Sequence, residues 1–154
     1  MMISLYQLLL GAMVLGVAWL LARRGRPLVR VLVFASALVV SALLFLPGSQ
    51  IRATVGRDAL SLMSNLAAST PWAVAEWVHF LIFLWLGLLL WLGRADLRNW
   101  KGWGLIAVLA AAAELAQGLA PGREPRLDDV LLNLAGGMAG LLLAILIRKL
   151  AKRL

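Results

Sequence analysis

Residues 73–92 read AVAEWVHFLIFLWLGLLLWL, twenty positions with only Glu76 and His79 charged or titratable. A helix needs roughly 20 mostly apolar residues to cross the hydrocarbon core of a bilayer, and this stretch supplies them. It has no alternating polarity, so it does not read as a barrel strand, and open sheet edges have no place in lipid. Four further stretches read the same way: Ser4 to Ala22, Leu28 to Leu46, Gly102 to Leu119 and Val130 to Ile147. The expected fold is therefore an all-α membrane protein of five transmembrane helices.

Composition points in the same direction. Of 154 residues, 63% are apolar and 14% charged, with a mean hydropathy of +0.93. Soluble domains carry about 45–50% apolar and about 25% charged residues, and a small domain cannot hide such an excess in one core. A soluble enzyme, a nucleic-acid-binding domain and a disordered tail are all excluded on this ground. The absence of cysteine removes disulfides, thiolate nucleophiles and zinc–thiolate sites together. The start of the chain lacks a basic segment and a small-residue cleavage site, so the first apolar run reads as a retained span.

The net charge of +8 belongs to topology rather than to nucleic acid. Eleven of the fifteen basic residues fall in three segments that a five-span chain places on one side. These are Arg23, Arg24, Arg26 and Arg30; Arg94, Arg98 and Lys101; and Arg148, Lys149, Lys152 and Arg153. The positive-inside rule then sets the N-terminus outside and the C-terminus in the cytoplasm. Trp72 and Trp77 near the outer boundary, and Trp19, Trp91, Trp100 and Trp103 near the inner one, suit interfacial belts.

One connection is long, from Pro47 to Trp72. Within it Ile51, Val55, Ala59, Leu62 and Leu66 form a helical stripe opposed by Arg52, Arg57 and Asp58. Residues of about 50–68 are expected to form an amphipathic helix on the outer surface, where such stripes commonly anchor.

Polar residues inside apolar helices are expensive, and they mark candidate sites. Glu76 and His79 are three apart, on one face of the third span. Glu114 and Gln117 repeat that spacing near the outer end of the fourth. The fifth opens with Asp128 and Asp129, which suit the positive end of a helix dipole, and Asn133 lies one turn deeper. At 1.5 Å per residue, Glu76, His79, Glu114 and Asn133 all fall within roughly 10 Å of the outer boundary. Gly136-x-x-x-Gly140 would let a partner helix approach closely. One polar pocket open to the outer leaflet is expected, roofed by the loop that carries Arg123.

Glu114-x-x-Gln117, then Gly122-Arg123, then Asp129-x-x-x-Asn133-x-x-Gly136-x-x-x-Gly140 resembles the pattern of the VanZ-like family of small bacterial membrane proteins. The resemblance runs from Trp72 to about Arg148. Members usually carry Asp-Lys-x-x-His-Phe in the earlier helix; here Ala75-Glu76-Trp77-Val78-His79-Phe80 keeps the histidine and lacks the lysine. The resemblance divides the chain into an N-terminal extension of two helices and the surface helix (1–70), a three-helix module (71–148) and a basic tail (149–154). It implies a bacterial cytoplasmic membrane location and a link to the cell envelope, the family being named after a protein associated with teicoplanin resistance.

Three readings of the polar residues follow. In the first, Arg123 grips the anionic group of an envelope lipid or lipid-linked precursor, in a pocket shaped by Glu76, His79, Glu114, Gln117, Asp129 and Asn133. In the second, Glu114 and His79 act as acid and base of an intramembrane enzyme, although no nucleophile motif accompanies them. In the third, the chain is a structural subunit, and ion pairs and polar contacts only hold helices together. A single Glu76-x-x-His79 is half of what a di-metal bundle uses, so no metal and no cofactor is expected. Membrane lipids are the expected partners, with protein partners open.

Overall fold

A computed structural model of the chain describes residues 5–45, 57–118 and 125–153. Six α-helices and one 3-10 turn make up the described residues, with no strand among them: α1 Leu5–Ala22, α2 Pro27–Phe45, α3 Arg57–Ala68, α4 Val74–Gly93, the 3-10 turn Ala95–Leu97, α5 Trp100–Gly118 and α6 Leu127–Ala151. Among the described residues two helices, α4 and α6, are long and apolar enough to cross a bilayer by themselves. Shorter apolar stretches occupy Gly11–Ala22 of α1 and Pro27–Val39 of α2. Lys101, Glu114 and Gln117 keep α5 below that hydropathy.

Local chemistry explains where the helices begin and end. Pro27 opens α2, at the position where a missing N–H is harmless and the fixed φ is already helical. In the first turn of α2, Arg30 donates from Nε to the Gly25 carbonyl (3.0 Å) and from Nη2 to that of Arg23 (3.2 Å), closing the hairpin between α1 and α2. The amphipathic segment gives α3, twelve residues that rest lightly on α4. Ile51 and Val55 of the expected stripe lie outside the described residues.

The structure is organised around α4 and α6, which run parallel and make by far the most extensive helix contact. Their backbones meet without side chains between them. A methyl group built on Gly136 would land on the Phe80 carbonyl oxygen, one on Gly140 on that of Leu84, and one on Gly87 on that of Gly137. Association in lipid has little hydrophobic drive, so such close packing supplies dispersion contact over the whole crossing. Leu90, Ile106, Leu141 and Ala144 fill the space between α4, α5 and α6, and Ala18, Ala22 and Val33 bring the α1–α2 hairpin against them. The outward faces are apolar, with Leu28, Leu38, Val108, Leu115, Leu131 and Leu142 all exposed. A water-soluble monomer does not present so large an apolar surface.

At the C-terminal end of α4, Arg94 is buried and fully engaged. Its Nε and Nη2 donate to the two oxygens of Asp96 (2.8 and 2.6 Å), and Nη1 donates to the Leu21 carbonyl at the end of α1 (2.8 Å). The hydrogen bond from Arg94, aided by its charge, holds the Asp96 carboxyl below the usual range. This contribution to stability is present above the unfolded-state pKa of about 4 and disappears as pH falls through the lowered folded value.

Three expectations follow for purified protein in detergent. Gly140→Val should lower stability by about 2 kcal/mol or more in reversible denaturation, because the new side chain meets backbone that cannot rotate away. Gly104→Ala, where an added methyl meets nothing within 4 Å, should be neutral or slightly stabilising. Asp96→Asn should cost about 1–3 kcal/mol at neutral pH by stranding the buried Arg94 charge, and the difference from wild type should shrink below about pH 4.

Candidate functional site

Polar side chains make two separate contacts near the N-terminal ends of α4 and α6, His79 with Asn133 and Glu114 with the Arg126 backbone. The first turn of α4 has no capping side chain at Ala73, and Glu76 compensates by reaching back to accept the Ala73 backbone N–H at 2.8 Å. This is the carboxylate half of a capping box. At the same helix start Trp72, Trp77 and Phe80 pack in tilted and edge-to-face contacts, with ring centroids 4.9–6.0 Å apart. Trp77 also donates its indole N–H to the Thr70 hydroxyl at 3.0 Å. The Glu76 carboxylate thus serves the helix start, while His79 faces the partner helix one turn deeper.

His79 and Asn133 meet there, Nδ1 to Oδ1 at 3.1 Å. A carboxamide oxygen only accepts, so in this arrangement Nδ1 carries the hydrogen. The bond pins α4 to α6 just above the glycine crossing. Asn133 has 0% of its surface exposed, and its Nδ2 amide has no partner among the described residues.

Glu114 of α5 is the other buried polar residue at this end, 3% exposed. Its Oε1 accepts the Arg126 backbone N–H at 2.8 Å. Arg126 is the N-cap of α6 and makes no capping bond with its own side chain. Its guanidinium instead points outward to Asp128 at 3.5 Å, on the surface. Glu114 thereby caps α6 from a neighbouring helix, at the positive end of the α6 dipole. Its second oxygen, Oε2, has no partner among the described residues.

The remaining expected site residues are distributed as follows. Gln117 is partly buried in the last turn of α5, and Asp129 is partly buried one turn above Asn133. Gly136 and Gly140 are buried against α4. Arg123, expected to roof the pocket, lies outside the described residues. Among the described residues no three His, Asp or Glu side chains converge as a metal site would require.

The partner of Glu114 was not read from the sequence. A signal for it exists: position 126 precedes a helix yet is none of Ser, Thr, Asp or Asn, so the α6 start needs an acceptor from elsewhere. The role of Arg94 had a signal too. Asp96 is the lone acidic residue among eleven basic ones on its side of the expected topology.

Among the described residues two buried atoms have no partner, a carboxyl oxygen on α5 and an amide N–H group on α6. Leaving such groups without partners costs about 1–3 kcal/mol each. Chemically, Asn133 Nδ2 can donate to an acceptor, and Glu114 Oε2 can accept from a hydroxyl or amide.

The VanZ/LLP1 family model matches residues 31–148, well over half of the chain. The chain belongs to this VanZ-like family. The match begins within α2, earlier than Trp72, where the sequence resemblance starts. No curated protein and no solved structure gives a significant match.

A double-mutant cycle on His79→Ala and Asn133→Ala should return a coupling energy of about 1 kcal/mol in detergent, the usual scale of an interhelical hydrogen bond. Additive losses would show that the two side chains do not bond.

Proposed function

We propose that this VanZ-like protein is a multi-pass protein of the bacterial cytoplasmic membrane that recognises the headgroup of an envelope lipid or lipid-linked precursor at the outer leaflet. The observation that carries this reading is the pair of buried atoms without partners among the described residues, Glu114 Oε2 and Asn133 Nδ2. A cluster that served helix packing alone would gain by satisfying both. In the proposed complex Asn133 donates to a ligand oxygen and Glu114 bonds a ligand hydroxyl or amide. Arg123 supplies the positive charge for a phosphate or carboxylate, and Gln117 and Asp129 complete the polar wall. A contribution to envelope function, or to tolerance of teicoplanin-type glycopeptides, would follow from holding such a lipid.

The topology that supports this reading has five spans, α1, α2, α4, α5 and α6, with α3 on the outer surface. The N-terminal ends of α4 and α6 then face outward, and the basic connections face the cytoplasm.

A second reading, a structural subunit, is favoured by a specific observation: the bonds His79–Asn133 and Glu114–Arg126 each join two helices. Mass spectrometry of lipids retained by gently purified protein separates the two. For recognition, wild type should hold an anionic or lipid-linked species that falls about tenfold or more in folded Arg123→Ala and Glu114→Gln variants. If all three hold the same bulk phospholipids, the polar cluster is packing and the recognition reading fails.

Topology has its own test, made clean by the absence of native cysteine. In intact cells a membrane-impermeant maleimide should label Ser69→Cys and leave Asn99→Cys unlabelled until the membrane is opened.

A further inference from the structure

At the opposite end of the bundle, the last turns of α4 and α6 border a cleft of about 210 Å³ lined by Trp91, Arg98, Ile145, Arg148, Lys149 and Lys152. Four of its six residues are cations. Arg98 is held in place from below: Nε donates to the Trp91 carbonyl and Nη2 to that of Leu92, both at 3.0 Å. Those two bonds cap the end of α4 and stop the guanidinium from swinging out into solvent.

Nothing among the described residues neutralises this group. Asp96 is the one acidic residue in the connections at this end, and both its oxygens are taken by Arg94. The ends of α4 and α6 offer a partial negative charge of about half a unit each, against four full positive charges. Burial, and then the repulsion of Arg148 and Arg26, push the Arg98 guanidinium down from its usual pKa. Cations gathered around a concave surface in this way are stabilised when an anion sits among them.

The cleft also has an apolar side. Trp91 is buried and Ile145 partly so, next to the exposed Leu146 and Ile147 on the lipid-facing flank of α6. An occupant with a charged head and an apolar body fits both walls. We infer that this cleft binds the phosphate of an anionic phospholipid headgroup. Under the topology proposed above, that lipid belongs to the cytoplasmic leaflet, where anionic headgroups meet juxtamembrane basic clusters.

The test uses the full chain in detergent, with retained lipid read by native mass spectrometry after addition of phosphatidylglycerol or phosphatidylcholine. Wild type should retain phosphatidylglycerol in marked preference to phosphatidylcholine. Arg148→Gln should lower that retention about fivefold, as expected from one basic contact worth about 1 kcal/mol, and Arg148→Lys should restore most of it. Lys152→Gln provides a second variant should Arg148→Gln fold poorly. Lys101→Gln removes an exposed charge outside the cleft and should change retention less than twofold. Equal loss in Lys101→Gln and Arg148→Gln, or no preference in wild type, would overturn the assignment. Displacement of the bound lipid by an equal concentration of inorganic phosphate would overturn its lipid part and assign the cleft to a soluble phosphate. The relative loss caused by Arg148→Gln should be the same in an Arg123→Ala background, so failure at the outer polar site would not carry over to this one.

Discussion

The packing of α4 on α6 through bare backbone is the constraint on which the other contacts depend. Where Gly136, Gly140 and Gly87 stand, the opposing surface is main chain. The register of the two helices is therefore set by carbonyl positions rather than by interdigitating side chains. That register brings His79 within hydrogen-bonding distance of Asn133 at one end, and Trp91 beside Ile145 and Arg148 at the other. The α1–α2 hairpin and α5 then pack against this pair, and Arg94 locks the hairpin to it through the Leu21 carbonyl.

The helices were legible in the sequence because their signal is bulk hydropathy, which does not depend on partners. The apolar run at 73–92 becomes α4 within a residue, and the run at 130–147 becomes the longer α6, extended at its start by Leu127 to Asp129 and at its end by basic residues. Bilayer crossing is legible only in part. Among the described residues α4 and α6 qualify by length and apolarity, whereas α5 mixes small residues with Lys101, Glu114 and Gln117. The family likeness was legible because Glu114, Gln117, Asp129, Asn133, Gly136 and Gly140 are side-chain identities at fixed spacing, and the family match over residues 31–148 bears it out.

Partners that are main-chain atoms were not legible. Glu76 and Glu114 look alike in sequence, two carboxylates near the ends of apolar helices. In the structure one accepts the N–H of Ala73 in its own first turn, and the other accepts the N–H of Arg126 across a helix gap. Every residue but proline carries such an N–H, so composition and spacing cannot say which one a carboxylate will find. The outcome depends on which helix start lacks its own cap. The same limit hid the two carbonyls that hold Arg98. The two ends of the bundle differ in chemistry among the described residues: Glu114 and Asn133 each keep a buried atom without a partner at one, and cations without counter-charges gather near Arg148 at the other.

The glycine crossing also bears on how this fold can change over evolutionary time. When two side chains touch, a substitution on one can be answered by a substitution on the other, and such pairs leave correlated changes across related sequences. Gly140 touches the Leu84 carbonyl, and Gly136 that of Phe80; those atoms are identical whatever residue occupies positions 84 and 80. No compensating replacement exists on the far side. The most intimate contact in the molecule should therefore leave almost no covariation between its two helices. It should be recorded instead as glycine columns that tolerate nothing else, and methods that infer contacts from paired changes would be blind to it.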